Sequence, residues 1–264
     1  KFFKQVLIII AALLTILDLS LCVRLQAHTG LFTTNQSMNK SRNKMIVING
    51  ILARDAGSGI MDSTWVCGLD GVIYRWDPMN VVHNVLNQPP KCRRVDVDYE
   101  GLPWIITPSH QIWRLMHEYT ENFRWVKLDG KGVDVGCSIM GDVFITGIGV
   151  GSFGFPIYRW NRATDNFCIV DGSGVRLDVA PNGALWTCNF YGNIFKRENN
   201  RYVQIDGIAW DLTCANSGDV YHRGNEYSIW KRISADWVRI DGYCMSLTAG
   251  DSLWVVRPDG VLLH

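Results

Sequence analysis

The sequence predicts an all-β chain folded as a six-bladed β-propeller of four-stranded antiparallel blades. Three recurrences predict it. An aromatic residue returns at Trp65, Trp104, Phe144, Trp186, Tyr221 and Trp254, where the second strand of each unit is expected. A third-strand triplet returns as Ile73-Tyr74-Arg75, Ile112-Trp113-Arg114, Ile157-Tyr158-Arg159, Ile194-Phe195-Lys196 and Ile229-Trp230-Lys231, with Leu262-Leu263-His264 as the last copy. A fourth-strand ending returns as Ile48-Asn49-Gly50, Leu128-Asp129-Gly130, Val170-Asp171-Gly172, Ile205-Asp206-Gly207 and Ile240-Asp241-Gly242. The period is roughly 33–45 residues, which suits a unit that cannot bury its own apolar faces and must stack on copies of itself.

In chain order, residues 1–22 read as a secretory signal. Lys1 and Lys4 flank the start of an apolar run, Val6 to Leu17, and Ser20 and Cys22 fit the positions before a cut. An uncleaved anchor is the alternative, but the run is short for a membrane span and Asp18 interrupts it. No membrane span is expected after cleavage, and the chain is expected to be secreted. Residues 23–43 form a polar linker with glycosylation sequons at Asn35 and Asn39.

The repeats occupy residues 44–264. Lys44 to Ile48 carries a fourth-strand signature with no earlier strands before it, while Met245 to His264 supplies three strands and stops. The N-terminal strand is therefore expected to complete the last blade and close the ring, removing exposed sheet edges. The first unit, from Leu52, has a degraded fourth strand that Pro89-Pro90 would end. The second holds Asp96, Trp104, Trp113 and Trp125. The third holds Asp134, Phe144, Tyr158 and Phe167, and carries a glycine-rich insertion, Gly147 to Pro156. The fourth, Gly174 to Gly207, is the cleanest copy, with turns at Pro181-Asn182-Gly183 and Tyr191-Gly192. The fifth holds Asp211, Tyr221, Trp230 and Trp237.

The formal net charge is +1, so the charge balance does not argue for nucleic acid. None of the eight cysteines makes a CxxC pair, which disfavours a zinc ribbon. In an oxidising compartment some should pair, with the connectivity open. Acids recur on the first strand at Asp55, Asp96, Asp134, Asp178 and Asp211, and bases on the third at Arg75, Arg114, Arg159, Lys196 and Lys231. Such rings of charge could bind an anion or a cation, but in the last unit Ser246 and His264 stand in both slots, and joint loss of charge favours structural ion pairs between first and third strands. There is no HExxH, GxSxG or P-loop, and the histidines are scattered. No enzyme, metal or cofactor is expected.

The unit, an Asp-led strand, GxxW, GxI(Y/F/W)(R/K) and WVxIDG, resembles the tectonin repeat of tectonins, tachylectin-1 and fish-egg lectins, and Asp55-Ala56-Gly57-Ser58-Gly59 resembles the opening of a fish-egg-lectin repeat. The resemblance covers about residues 44–264 and implies a six-bladed propeller that binds glycans or lipopolysaccharide, with a role in innate recognition. A sugar site needs an aromatic face and a few fixed polar groups. Loops from second to third strands, and from each fourth strand to the next unit, emerge on one rim. They hold His110, Phe153, Phe155, Asn189, Phe190, Tyr191, Asn225, Tyr227 and Tyr243. The candidate carbohydrate ligands are Asn189, Phe190, Tyr191, Asn225, Tyr227, His110 and Tyr243, with Phe190-Tyr191 and Tyr227 as the leading platforms. The alternative is a structural or adaptor propeller that binds protein, since fold alone does not fix function.

Overall fold

A computed structural model of the chain describes residues 47–76, 83–84, 91–119, 122–149 and 151–264. The signal segment, both sequons and Lys44–Ile46 lie outside these residues. The body, Ile46–His264, is a β-propeller arrangement with four four-stranded antiparallel blades and one seven-stranded sheet. The four blades are named here by their first-strand aspartates. The Asp96 blade comprises Arg94–Val97, Pro103–Ile106, Ile112–Tyr119 and Asn122–Leu128. The Asp134 blade comprises Gly132–Cys137, Val143–Gly147, Phe155–Asn161 and Asn166–Gly174. The Asp178 blade comprises Arg176–Val179, Leu185–Cys188, Asn193–Glu198 and Arg201–Ile208. The Asp211 blade comprises Asp211–Cys214, Val220–Arg223, Ser228–Ile233 and Asp236–Tyr243.

In the seven-stranded sheet one long strand, Val47–Ser58, has two partners. Its first half pairs with Val261–Leu263, through Val47 with Leu263 and Ile48 with Leu262. Its second half pairs with Thr64–Gly68, through Asp55 with Cys67 and Gly57 with Trp65. Register shifts fall between Ile48 and Leu52 and between Ala53 and Asp55, where the strand changes partner. The degraded fourth strand appears as His83–Asn84, paired with Ile73–Arg75.

In the Asp134, Asp178 and Asp211 blades the Asp-Gly pair is not a strand ending, as expected, but a bulge inside a continuing strand, whereas in the Asp96 blade the strand ends at Leu128, before Asp129-Gly130. In the Asp178 blade Ile205 pairs with Ile194 and Ile208 with Asn193, so Asp206-Gly207 is extruded. Gly207 takes φ 116°, a conformation that a side chain resists. The Asp211 blade repeats the shift between Ser228 and Ile229, opposite Gly242.

The basic third-strand slot also has a different partner from the one expected. Arg114 pairs in register with Trp104, and its guanidinium lies 5.4 Å from the Trp104 ring centre. Arg75 over Trp65, Arg159 over Phe144, Lys196 over Trp186 and Lys231 over Tyr221 repeat the contact at 5.4–5.9 Å. His264 stacks on Trp254 at 4.2 Å, so the last unit keeps the arrangement with a different ring. These are cation–π contacts on aromatic faces rather than ion pairs with first-strand acids. The slot aromatics themselves are core: Trp254 is fully buried, and Trp65, Trp104, Phe144 and Trp186 are nearly so. They also pack on other rings, Trp104 5.4 Å from Trp160 of the next sheet and Trp254 4.7 Å from Trp76, which follows Ile73–Arg75 of the same seven-stranded sheet.

The first-strand acids join consecutive sheets. Asp55 accepts from the Val95 amide at 2.8 Å, Asp96 from Cys137 at 2.6 Å, Asp134 from Leu177 at 3.0 Å, Asp178 from Cys214 at 2.7 Å and Asp211 from Leu247 at 3.4 Å. A hydroxyl serves in the last unit: Thr248 Oγ1 accepts from the Ser58 amide at 3.2 Å. Removing a buried carboxylate that also neutralises a cation is strongly destabilising. Asp134→Ala is expected to lower unfolding free energy by about 3 kcal/mol. Asp142→Ala, which breaks only the surface pair with Arg159, should cost less than about 1 kcal/mol. Urea titration of both variants checks this; equal losses would refute the assignment.

Candidate functional site

Cross-strand register defines two layers on the propeller axis. The residues opposite the position two after each slot aromatic are Asp55, Arg94, Asp134, Arg176, Asp211 and Ser246. Those opposite the aromatic itself are Gly57, Asp96, Gly136, Asp178, Thr213 and Thr248. The five repeated aspartates therefore do not share one slot: Asp96 and Asp178 sit two residues further along their strands. Gly57 and Gly136 leave the room they need, since a Cβ there would meet the Asp96 and Asp178 Cα atoms at 2.6 and 2.7 Å.

The first layer alternates acid and base and then breaks at Ser246. Arg94 donates to Asp134 at 2.6 Å, Asp55 at 2.9 Å and Asp211 at 3.3 Å. Arg176 approaches Asp211 at 3.6 Å and Asp134 at 3.9 Å. Ser246 donates to Asp55 at 2.6 Å. Burial opposes the Arg94 charge, but its three carboxylates hold the guanidinium well above its usual range. Burial also works against ionised Asp211, yet Arg94, Arg176 and Arg223 keep it below the usual carboxylate range.

The second layer has no such cation. It opens on a small cleft lined by Ser58, Asp96, Cys137, Asp178, Cys214 and Ala249. Burial pushes Asp178 up to about 7. Burial, with the Asp178 charge next, lifts Asp96 well above the ordinary carboxylate range. Burial raises the Cys137 and Cys214 thiols too, so neither is a ready thiolate. Among the described residues no group of three or more His, Cys, Asp or Glu could hold a metal ion. The sequence shows the recurring acids as a ring of charge but not the arginines that join them on the axis. The alternation of Asp55, Arg94, Asp134 and Arg176 was the available signal.

The expected rim ligands fall into two groups. Asn189 is buried and its side-chain oxygen accepts from the Tyr191 and Asn193 amides at 2.9 and 3.0 Å, so it shapes the turn. His110 is half-buried, with Nδ1 3.0 Å from the Gly132 carbonyl. Asn225 accepts from Trp210 Nε1 at 2.8 Å. The aromatics are more available. Tyr191 is 54% exposed and Phe153 58% exposed, with ring centres 6.3 Å apart. Phe155 and Phe190 meet at 5.2 Å, and the Phe190 amide donates to the Phe153 carbonyl at 2.9 Å. The insertion of the Asp134 blade and the turn of the Asp178 blade thus build one aromatic shelf. Tyr227 and Tyr243 are also exposed, backed by Arg223 and Arg257 at 5.7 and 5.2 Å. Tyr191 is an expected platform, and its pairing with Phe153 is seen only in the structure.

The cysteines give one disulfide, Cys67–Cys92, which ties a second strand to the segment entering the Asp96 blade. No helix among the described residues is long and apolar enough to cross a membrane.

No family model matches the chain, and no curated protein matches it. Solved structures do share its fold. A streptogramin B lyase aligns at 16% identity and TM-score 0.55, over 80% of this chain and 80% of that one. A gluconolactonase of Xanthomonas campestris aligns at 11% identity and TM-score 0.59, over 81% and 87%. YCF48 bound to a D1 peptide aligns at 13% identity and TM-score 0.55, over 86% and 81%. At these identities the likeness concerns the fold. It corrects the expectation that the chain is not an enzyme: two of these fold neighbours are enzymes, and the architecture hosts catalysis.

The raised carboxyls have a thermodynamic consequence. Between about pH 4 and 7 an unfolded chain releases protons that folded Asp96 and Asp178 retain, so the pair removes stability as pH rises through that window. Asp178→Asn removes the Asp178 share of the effect, while Asp96 stays buried. Its stability relative to the parent should grow from pH 4.5 to 7.5 by about 3 kcal/mol. Urea titrations at both values check this, and a constant difference would refute it.

Proposed function

We propose that this chain is a carbohydrate-binding protein that takes glycans or lipopolysaccharide on the loops of one propeller rim. The observation that carries the reading is the exposed Phe153–Tyr191 pair, fixed across two blades by the Phe190–Phe153 backbone bond. Sugar rings present an apolar C–H face to such rings, and desolvating both surfaces supplies affinity. The resemblance to tectonin repeats points the same way. Secretion, glycosylation at Asn35 and Asn39, and a role in innate recognition belong to the same proposal. The Cys67–Cys92 disulfide is in keeping with an oxidising compartment.

The proposal includes six blades. The seven-stranded sheet reads as two blades that share Val47–Ser58, its first half closing the ring against Val261–Leu263. The Thr248–Ser58 bond then completes the series of links between neighbours. A crystal structure counts the sectors directly, and any number other than six contradicts this part.

A second reading is a protein-binding propeller, favoured by the fold neighbour bound to a peptide. A glycan array on the repeat domain, with lipopolysaccharide capture beside it, separates the two. Tyr191→Ala should leave the melting temperature unchanged and weaken the best glycan by about tenfold, the loss of about 1.4 kcal/mol. No glycan bound at millimolar concentration, or full binding by the variant, would overturn the carbohydrate reading. A peptide or protein ligand unaffected by sugar would establish the second.

A further inference from the structure

The rim that bears the aromatic shelf also surrounds the arginine end of the axis. First strands begin there, and second strands, running antiparallel, return there before their loops. Arg94 and Arg176 reach it with side chains 15% and 23% exposed. Arg54 directly precedes Asp55, and Arg93 directly precedes Arg94, with its amide donating at 2.8 Å to the carbonyl of Ile106, the residue opposite Arg94; both arginines are half-buried. Arg54 donates to the Leu69 carbonyl at 3.4 Å. Arg93 makes no ion pair among the described residues, and follows Cys92, which the disulfide anchors. Burial, and after it the guanidiniums of Arg176, Arg94 and Arg54, hold Arg93 below its usual range. Four guanidiniums thus crowd above three carboxylates, Asp55, Asp134 and Asp211, two of which already share Arg176.

Such crowding is costly where water is partly excluded, and an anion would relieve it. The three arginines that are not saturated, Arg54, Arg93 and Arg176, come from three separate segments: the long strand Val47–Ser58, the bend before Arg94–Val97 and the strand Arg176–Val179. Guanidiniums carried on separate segments suit a tetrahedral oxyanion better than a planar carboxylate, which one fork can hold. We propose that Arg54, Arg93 and Arg176 form an axial binding site for a phosphate group, carried free or on a sugar. The site is separate from the aromatic shelf and stands whether or not the shelf binds glycans.

The test is calorimetric titration of the full chain with inorganic phosphate at low ionic strength, where screening is weakest. Wild type should bind, and Arg93→Gln and Arg54→Gln should each raise Kd by about tenfold. Arg93→Gln loses no ion pair, so its phosphate-free melting temperature should match or exceed that of wild type. Glucose 6-phosphate serves as the second probe. Tighter binding than phosphate identifies a phosphorylated sugar as ligand, and equal binding identifies free phosphate; both support the site. Tyr191→Ala should bind phosphate as wild type does, and Arg93→Gln should bind neutral glycans as wild type does, so the two sites are tested independently. No phosphate binding at millimolar concentration, or unchanged affinity in both arginine variants, overturns the proposal.

Discussion

A buried carboxylate on one first strand taking the backbone amide of the next is the interaction on which this fold depends. Each blade buries apolar faces against its neighbours, but burial is not directional and does not set their relative height. The Asp55–Val95, Asp96–Cys137, Asp134–Leu177, Asp178–Cys214 and Asp211–Leu247 bonds are directional. They bring acid groups to the axis, where unpaired charge is expensive. Three of the five acids meet this constraint with Arg94 and Arg176. The other two meet it with amide and hydroxyl donors, and with a raised affinity for protons, which burial also gives Asp55 despite Arg94.

The axis then has two unlike ends. One is rich in guanidinium and lies among the loops that carry the aromatic shelf. The other is a small cleft with two carboxyls and two thiols. Structural duty accounts for the acids at both ends, which leaves binding to groups that the blades do not need. Phe153 and Tyr191 are such groups: neither fills a core slot, and both are more than half exposed.

The repeats were legible because the residues that carry them obey a local rule. A second-strand aromatic is needed wherever two blades pack, and Trp104 and Trp254 show it by being buried. The partner of the basic slot was not legible, because Arg114 lies close in sequence to both an acid and a tryptophan. Only register shows that it stacks on Trp104. The two-residue offset of Asp96 and Asp178 was hidden for a similar reason: an Asp in either axial layer looks alike in sequence. The Asp-Gly bulges resemble turns because both need a glycine at positive φ. The site was legible in part. Tyr191 stands in a recognisable loop, but its pairing with Phe153 depends on how an irregular insertion folds back.

A crystal structure with a bound oligosaccharide tests the central claim most directly, since it shows whether the rim or the axis does the binding. The account predicts a sugar ring against Phe153 and Tyr191, with the axial cleft beside Asp96 and Asp178 free of saccharide. A sugar seated in that cleft, with the aromatic shelf bare, would contradict it and move the functional centre to the buried carboxyls.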